Sequence, residues 1–375
     1  MMRTLFHFTY LVIIAAFLIS CSDDTSSPTT PESSSEAPES SSSEEPESSS
    51  SEAPESSSSE EPESSSSEPV VESPIFGYKL KNAPTPSKGC GTQSTLEPDS
   101  TLDNGTTKLY KMTIAEMRRE FYMDLPENYD NNKPYKVIFA FQFMGTPAVN
   151  IATGSGTMAT YSPYYGQKEL DTENNYIFVA PRGEDGFVGY VWRVDDDKDH
   201  IFFDEMLTLL EDNFCIDTSR VFVTGFSFGA MFSNSLAQDF QHRIRAAVTY
   251  GVADINIYIP ENAGKPIAWM DVHGINDDNC SYKRLDSSIT RILRHNGPAD
   301  SEGNFTDVSD EIEDMERYTE DMGETHVCYS FQKVDPRFPV QVCTWNGGHQ
   351  WTASDDGNWE NTWVPQKVRE FIEQF

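Results

Sequence analysis

A G-x-S-x-G motif at residues 225–229 constrains the fold of this chain more than any other feature. It directly follows the apolar run at residues 220–224 and precedes a helix-forming run at residues 230–237. This order predicts a strand, a tight turn and a helix, and the two glycines leave room for the chain to fold back at the serine. Ser227 is therefore the candidate nucleophile, and the alternative is an ordinary loop between strand and helix.

Strand patterns and helix patterns alternate around this motif. The runs at residues 110–113 and 120–125 predict a hairpin or edge strands. Continuous apolar runs predict buried strands at residues 136–141, 176–180, 244–249, 267–272 and 340–345. Apolar residues at helical spacing predict helices at residues 200–213, 285–293 and 363–375. The alternation predicts the α/β class, with a mainly parallel central sheet and helices on both faces.

The first twenty residues have the layout of a secretory signal. Arg3 precedes an apolar stretch at residues 5–19 that is shorter than a membrane span usually needs. Residues 18–21 resemble the lipobox of bacterial lipoproteins, in which cleavage precedes a lipidated cysteine, here Cys21. Ser22 after it resembles lipoproteins sent to an outer membrane or cell surface. The alternative is a plain signal peptide and a secreted protein.

Residues 21–75 predict a disordered linker between the signal (1–20) and a globular domain (76–375). A Pro-Glu-Ser-rich unit recurs every eight residues there, and fifteen acidic residues occur without any Lys or Arg. Because almost no apolar side chain is available for burial, the segment cannot offset the entropy of ordering. At roughly 3.1 Å per residue, an extended linker would hold the domain on the order of 150 Å from its anchor.

The remaining chain is itself acidic. The formal net charge is −34, and removing the linker's fifteen negative charges and Arg3 leaves about −20 for residues 76–375. Such a surface cannot neutralise phosphates, which excludes nucleic acid as a partner.

A serine nucleophile needs a base, and the base needs an orienting acid. Two histidines end predicted strands, His273 and His349, and His349 also follows the flexible pair Gly347-Gly348. The other five lie in the signal, in helical patterns or in polar surroundings without a leading strand: His7, His200, His242, His295 and His326.

The order of the motifs selects among the candidates. Because α/β-hydrolases run in the order serine, acid, histidine, Asp277 is the predicted acid and His349 the predicted base. His273 is then expected to support its loop, and Asp278 is the alternative acid.

These motifs resemble those of carbohydrate esterase family one, the feruloyl and acetylxylan esterases, with polyhydroxybutyrate depolymerase-like proteins as near relatives. The resemblance rests on the serine motif, on the His-Gly-Ile-Asn-Asp run at residues 273–277 and on Gly-Gly-His at residues 347–349. It covers about residues 88–375 and implies the α/β-hydrolase fold and ester hydrolysis.

The chain departs from the family after its first core strand. Relatives usually have a histidine there, whereas this chain has Gln142, followed by Phe143 and Met144. The family pattern implies that the oxyanion is bound by the backbone N–H of Phe228 and by that of Phe143 or Met144. The side chains flanking the motifs are candidates for substrate binding: Gln142, Trp192, Phe226 and Trp351.

Five cysteines remain if Cys21 is lipidated: Cys90, Cys215, Cys280, Cys328 and Cys343. Export permits disulfides, and this odd number allows at most two, with a pairing that the sequence leaves open. The sequence has no metal-site spacing and no nucleotide fingerprint, so hydrolysis without metal or cofactor is expected.

The expected function is a surface-tethered serine esterase that removes feruloyl or related hydroxycinnamoyl groups from plant cell-wall xylan. Two alternatives within the resemblance are an acetylxylan esterase and a polyester depolymerase. An alternative of another class is a non-catalytic lipoprotein that binds polysaccharide. The membrane is expected as a partner through the lipid anchor alone, and the oligomeric state stays open.

Overall fold

The computed structural model describes residues 80, 82–114, 117–155, 162–186, 189–322 and 326–375. The predicted signal, lipidation site and linker at residues 1–75 lie outside the described residues. Among the described residues, no helix is long and apolar enough to cross a membrane.

A ten-stranded sheet forms the centre of the described chain. In spatial order its strands are β1 (Ser100–Thr101), β2 (Lys108–Ile114), β3 (Met117–Asp124), β5 (Tyr176–Pro181), β4 (Tyr135–Phe141), β8 (Ile216–Phe226), β9 (Ala246–Tyr250), β10 (Ala268–Gly274), β12 (Val340–Trp345) and β11 (His326–Ser330). A separate hairpin consists of β6 (Glu184–Gly186) and β7 (Gly189–Val191).

Six adjacent strands, from β5 to β12, are parallel to one another. The strands at the two ends of the sheet pair antiparallel, including the predicted hairpin of β2 and β3. The prediction of an α/β-hydrolase fold with a mainly parallel sheet is confirmed.

Five α-helices cover the sheet in the described part of the chain: α1 (Ala148–Thr153), α2 (Lys198–Asn213), α3 (Phe228–Leu236), α4 (Tyr282–Leu293) and α5 (Val364–Glu373). Two short 3₁₀ helices lie at Ser309–Asp314 and Trp359–Asn361.

Alternate side chains of the strands point to two separate cores. Val137 and Phe139 of β4 belong to a core with buried side chains of α2, α3 and α4, whereas Ile138 and Ala140 belong to a core with those of α1 and α5. The helices therefore lie on both faces, as the alternation of patterns predicts.

One local prediction was wrong, because His242 lies in a turn beyond α3 and not in a helix. His326, predicted to have no strand leading into it, is the first residue of β11. The short helix α1 and strands β1, β6 and β7 carry no periodic pattern long enough to be recognised in the sequence.

Two disulfides resolve the cysteine pairing. Cys90 is joined to Cys215, directly before β8, and Cys328 is joined to Cys343 across the antiparallel pair of β11 and β12. Cys280 is buried.

Four neighbouring strands end side by side and bring the predicted site together. Strands β8, β9, β10 and β12 are adjacent and parallel, so their carboxyl ends meet at one edge of the sheet. Parallel α/β sheets bind their ligands at this edge.

Candidate active site

Ser227 occupies a strained turn between β8 and α3. Its backbone angles are φ 55° and ψ −118°, a conformation that residues with a side chain rarely adopt. The Ser227 N–H donates to the carbonyl of Tyr250 at the end of β9 over 2.9 Å, and the Ser227 carbonyl accepts from the N–H of Met231. These bonds fix the turn from both sides.

The glycines of the motif are required by close backbone approach. A methyl group on Gly225 would lie 2.4 Å from the carbonyl carbon of Gly229, and one on Gly229 would lie 2.4 Å from the carbonyl oxygen of Phe141. No real side chain fits at such distances, so the turn packs directly on itself and on the end of β4.

Ser227, His349 and Asp277 form one continuous hydrogen-bonded series. The Nε2 atom of His349 lies 2.8 Å from the Ser227 hydroxyl oxygen, and its Nδ1 atom lies 2.6 Å from Oδ2 of Asp277. The serine and the aspartate are buried, whereas the histidine side chain retains 11% exposure. The three predicted residues, 50 and 72 positions apart in sequence, thus meet at one edge of the sheet.

The Asp277 carboxylate is held by its own loop. Its Oδ1 atom accepts the N–H groups of Asn279 and Cys280, at 2.9 and 2.7 Å, which leaves Oδ2 for His349. The neighbouring Asp278 is exposed.

The loops that carry the acid and the base are joined through their backbones. Asn276 donates its N–H to the carbonyl of Gly347 over 2.9 Å, and a methyl group on Gly274 would lie 2.2 Å from that same oxygen. This contact fixes the loop that carries Asp277 relative to the loop that carries His349.

The predicted oxyanion loop directly follows β4. Phe143 and Met144 are half-buried there, and the Gln142 carbonyl accepts the indole N–H of Trp192 over 2.9 Å. A methyl group on Gly229 would lie 2.8 Å from that carbonyl oxygen, so the loop backbone lies against the first turn of α3, where Phe228 begins the helix.

The four predicted substrate-binding side chains are all buried. Trp192, 1% exposed, packs on Phe141 and Phe232, and Trp351, also 1% exposed, packs on Tyr165 and Tyr250. The prediction of direct substrate contact is therefore wrong for both tryptophans, since core packing leaves them almost no free surface.

Gln142 and Phe226 are also buried, at 0% and 4% exposure. The ring of Phe226 packs on the imidazole of His349 at 4.6 Å and on the half-buried ring of Phe143 at 5.3 Å. Phe143, which also flanks the motifs in sequence, keeps an exposed aromatic surface beside the site, whereas the two tryptophans do not.

Two residues of the site escaped sequence reasoning. The hydroxyl of Tyr165 donates to the Phe141 carbonyl and accepts the N–H of Phe226, which joins the ends of β4 and β8 beneath the turn. Tyr165 lies inside a loop without a pattern. The second residue is Gly251, which directly follows β9 and lies against the Asp277–His349 pair. Its position, a glycine after a predicted strand, is a sequence signal that could have indicated it.

A second series of serine, histidine and aspartate occurs within the chain. His200 lies 2.7 Å from the Ser235 hydroxyl and 3.1 Å from the Asp239 carboxylate. Ser235 is fully buried and donates its proton to the Tyr258 carbonyl. No ester could reach this serine, so we assign the series to the packing of α2 against α3.

The arrangement around Ser227 suits acyl transfer. A histidine within hydrogen-bond distance of a hydroxyl can remove its proton, and a buried carboxylate on the other ring nitrogen fixes the tautomer and stabilises the imidazolium that forms. The fold and this site define a serine hydrolase of the α/β-hydrolase class.

Comparison with known proteins narrows that class. Feruloyl esterase D of Neurospora crassa is 33% identical over 223 residues, which cover 59% of this chain and 72% of that protein. A probable feruloyl esterase C of Aspergillus terreus is 28% identical over 282 residues, 75% of this chain and 90% of that protein. The chain belongs to the feruloyl esterase family, in the feruloyl and acetylxylan esterase group of carbohydrate esterase family one that its motifs resemble.

No family model matches the chain. Among solved structures, an acetyl xylan esterase from Aspergillus awamori has a TM-score of 0.48 and 15% identity, and the match covers 71% of this chain and 99% of that one.

Proposed function

We propose that the chain is a serine esterase that hydrolyses feruloyl or related hydroxycinnamoyl esters on plant cell-wall xylan, with Ser227 as nucleophile, His349 as base and Asp277 as orienting acid. The observation that carries the proposal is the hydrogen-bonded series of these three side chains in a chain whose relatives are named feruloyl esterases.

The reaction proceeds in two displacements. His349 Nε2 takes the proton of Ser227 as the hydroxyl oxygen attacks the ester carbonyl, and the N–H groups of Phe228 and the 143–144 loop bind the resulting oxyanion. The sugar hydroxyl leaves with the proton from His349. Water, deprotonated by the same nitrogen, then attacks the acyl carbonyl carbon. The bond from that carbon to the Ser227 oxygen breaks, the serine oxygen takes the proton from His349, and the acid is released.

The surroundings of His349 favour a planar acyl group. The buried Phe226 ring packs on the histidine, and the half-buried Phe143 ring packs on Phe226 and keeps an exposed aromatic surface. Offset and edge-to-face ring contacts stabilise aromatic ligands beyond simple burial. An acetyl or hydroxybutyryl group would use little of this surface.

Release of acid from two matched substrates tests the proposal. kcat/KM should be higher for feruloylated than for acetylated xylo-oligosaccharides of equal length. Ser227→Ala should remove both activities and leave the circular dichroism spectrum unchanged. Faster release of acetate would assign an acetylxylan esterase. Failure of a fluorophosphonate probe to label the protein would indicate a non-catalytic polysaccharide-binding protein.

We propose in addition that the enzyme is exported, anchored through Cys21 to an outer membrane or cell surface, and held away from it by the linker at residues 21–75. The lipobox-like residues 18–21 support the anchor. The disulfides Cys90–Cys215 and Cys328–Cys343 support an oxidising compartment.

A further inference from the structure

A second histidine lies behind the acid of the site, completely buried. His273, in β10, has 0% exposure, and both of its ring nitrogens face oxygen atoms. Nδ1 lies 3.1 Å from Oδ2 of Asp271, and Nε2 lies 2.8 Å from the carbonyl oxygen of Cys280. Nε2 also lies 3.7 Å from Oδ2 of Asp277, the oxygen that bonds to His349.

These partners determine the protonation of the ring. A carbonyl oxygen only accepts hydrogen bonds, and so does an ionised carboxylate, so a ring between the two must donate from both nitrogens. Imidazole is also the stronger base of the Asp271–His273 pair. The pair of an ionised Asp271 and a protonated His273 is therefore the stable form. The Thr249 hydroxyl donates to the other oxygen of Asp271, Oδ1, over 2.7 Å.

The electrostatics agree with this assignment. Burial on its own would lower the pKa of His273, but the hydrogen bond and negative charge of Asp271, together with the charge of Asp277, raise it above the usual value.

We propose that His273 is a positioning residue that donates from both ring nitrogens, to Asp271 and to the Cys280 carbonyl, and thereby holds the Asp277 carboxylate in place with a positive charge beside it. The proposal rests on the proposed function, because it assigns Asp277 the role of acid.

The placement runs through one residue of the acid loop. Cys280 donates its N–H to Oδ1 of Asp277, while its carbonyl accepts from His273. The imidazolium thus fixes both ends of the short turn from Asp277 to Cys280. The strand residue Asp271 anchors the imidazolium in turn, so the acid is connected to the rigid sheet and not only to its own loop.

The charge acts on the same group. A positive charge on His273 lies 3.7 Å from Oδ2 of Asp277, the oxygen that bonds to His349. It offsets part of the attraction between the Asp277 carboxylate and the imidazolium that His349 becomes during the reaction. Removing the charge should therefore move the acidic limb of the pH profile.

The remaining neighbours of His273 carry little charge. Thr344 of β12 pairs with His273, and Thr249 of β9 pairs with Asp271. From α4 the ring of Tyr282, whose pKa is raised by burial, lies 5.9 Å away. The guanidinium of Arg317 lies over the ring of Tyr282, 5.1 Å from its centre.

The pH profile of His273→Gln tests the charge. Glutamine can still donate to the Cys280 carbonyl but carries no charge. The pH midpoint of the acidic limb of the kcat/KM profile for an aryl acetate should therefore move upward by about 1 pH unit. His200→Gln is the matched control, because it removes another buried hydrogen-bonded histidine remote from Asp277. It should lower thermal stability without moving the limb. An unmoved limb in a folded His273→Gln variant would overturn the proposal.

A measurement on the unaltered protein covers the case in which the variant does not fold. In ¹⁵N-histidine-labelled enzyme, one ring should keep protons on both nitrogens at a pH above the ordinary histidine pKa, where exposed histidines have lost one. The proposal is wrong if every ring loses its second proton at or below the ordinary histidine pKa. This measurement needs no substrate, so it is independent of the proposed activity. If the proposed activity is wrong, the wild-type enzyme will not hydrolyse the aryl ester.

Discussion

Gly251 lies directly against the carboxylate of Asp277. A methyl group on its Cα would lie 3.2 Å from Oδ2 of Asp277 and 3.3 Å from Nδ1 of His349, the two atoms that share the hydrogen bond. The backbone of Gly251 also has φ +60°, a left-handed conformation that favours glycine. One glycine therefore leaves the space in which acid and base meet.

Replacing Gly251 by alanine should separate that pair. We expect kcat to fall at least tenfold, because the added methyl group displaces either the carboxylate or the imidazole, and small misplacements of catalytic groups are costly. Gly264→Ala is the matched control, since Gly264 has φ +75° and open space around its Cα. Equal losses of kcat in the two variants would attribute the effect to backbone strain and not to the contact.

Asp277 and Asp278 should differ sharply when each is replaced by asparagine. Asp277→Asn removes the acceptor that fixes the His349 tautomer and should reduce turnover by about 10⁴. Asp278 is exposed, and its replacement should cost less than about tenfold. Both variants should be assayed on one aryl acetate. The reverse ranking would assign the acid to Asp278, and two mild losses would place it on another loop.

The two disulfides should contribute unequally to stability. Cys90 and Cys215 are 125 residues apart, whereas Cys328 and Cys343 are 15 apart. On a chain-entropy argument, replacing both cysteines by serine should lower the free energy of unfolding by about 5 kcal/mol for the first pair and about 3 kcal/mol for the second. Denaturant unfolding of the two double variants measures the difference. A larger loss for the second pair would contradict the loop-length argument.

If the protein is anchored through a lipid on Cys21, loss of that cysteine should change its location without changing its activity. Cys21→Ala should release the protein from the membrane fraction of producing cells while kcat on a soluble ester is unchanged, because the linker has almost no apolar side chain with which to pack persistently against the site. Membrane retention of the variant would contradict either the lipobox interpretation or the interpretation of residues 5–19 as a cleaved signal.

Sequence patterns predicted those parts of the site that short motifs and strand ends define. The turn at Ser227 needs glycines within a short motif, and the strand-end positions of Asp277 and His349 follow from strand runs that are visible in the chain. Burial, in contrast, depends on packing between distant segments. The pattern could not reveal that Trp192 and Trp351 face the cores, because each packs on segments far away in sequence.

Trp192 positions the oxyanion loop from the core. Its indole N–H holds the Gln142 carbonyl, and because the C=O and N–H of one peptide unit point in opposite directions, this bond also fixes the N–H of Phe143. Trp192→Phe keeps most of the packing and removes the donor. We expect kcat to fall about 10- to 100-fold, somewhat less than the loss of an oxyanion donor itself, while KM changes little.

Trp269→Phe is the matched control for this experiment. Trp269 is also fully buried, but its indole N–H has no hydrogen-bond partner among the described residues. Its replacement should therefore lower stability by a similar packing loss without the fall in kcat. Measuring kcat, KM and thermal stability for both variants separates the two effects. If Trp192→Phe and Trp269→Phe reduce kcat equally, the indole hydrogen bond has no specific role in placing the Phe143 N–H.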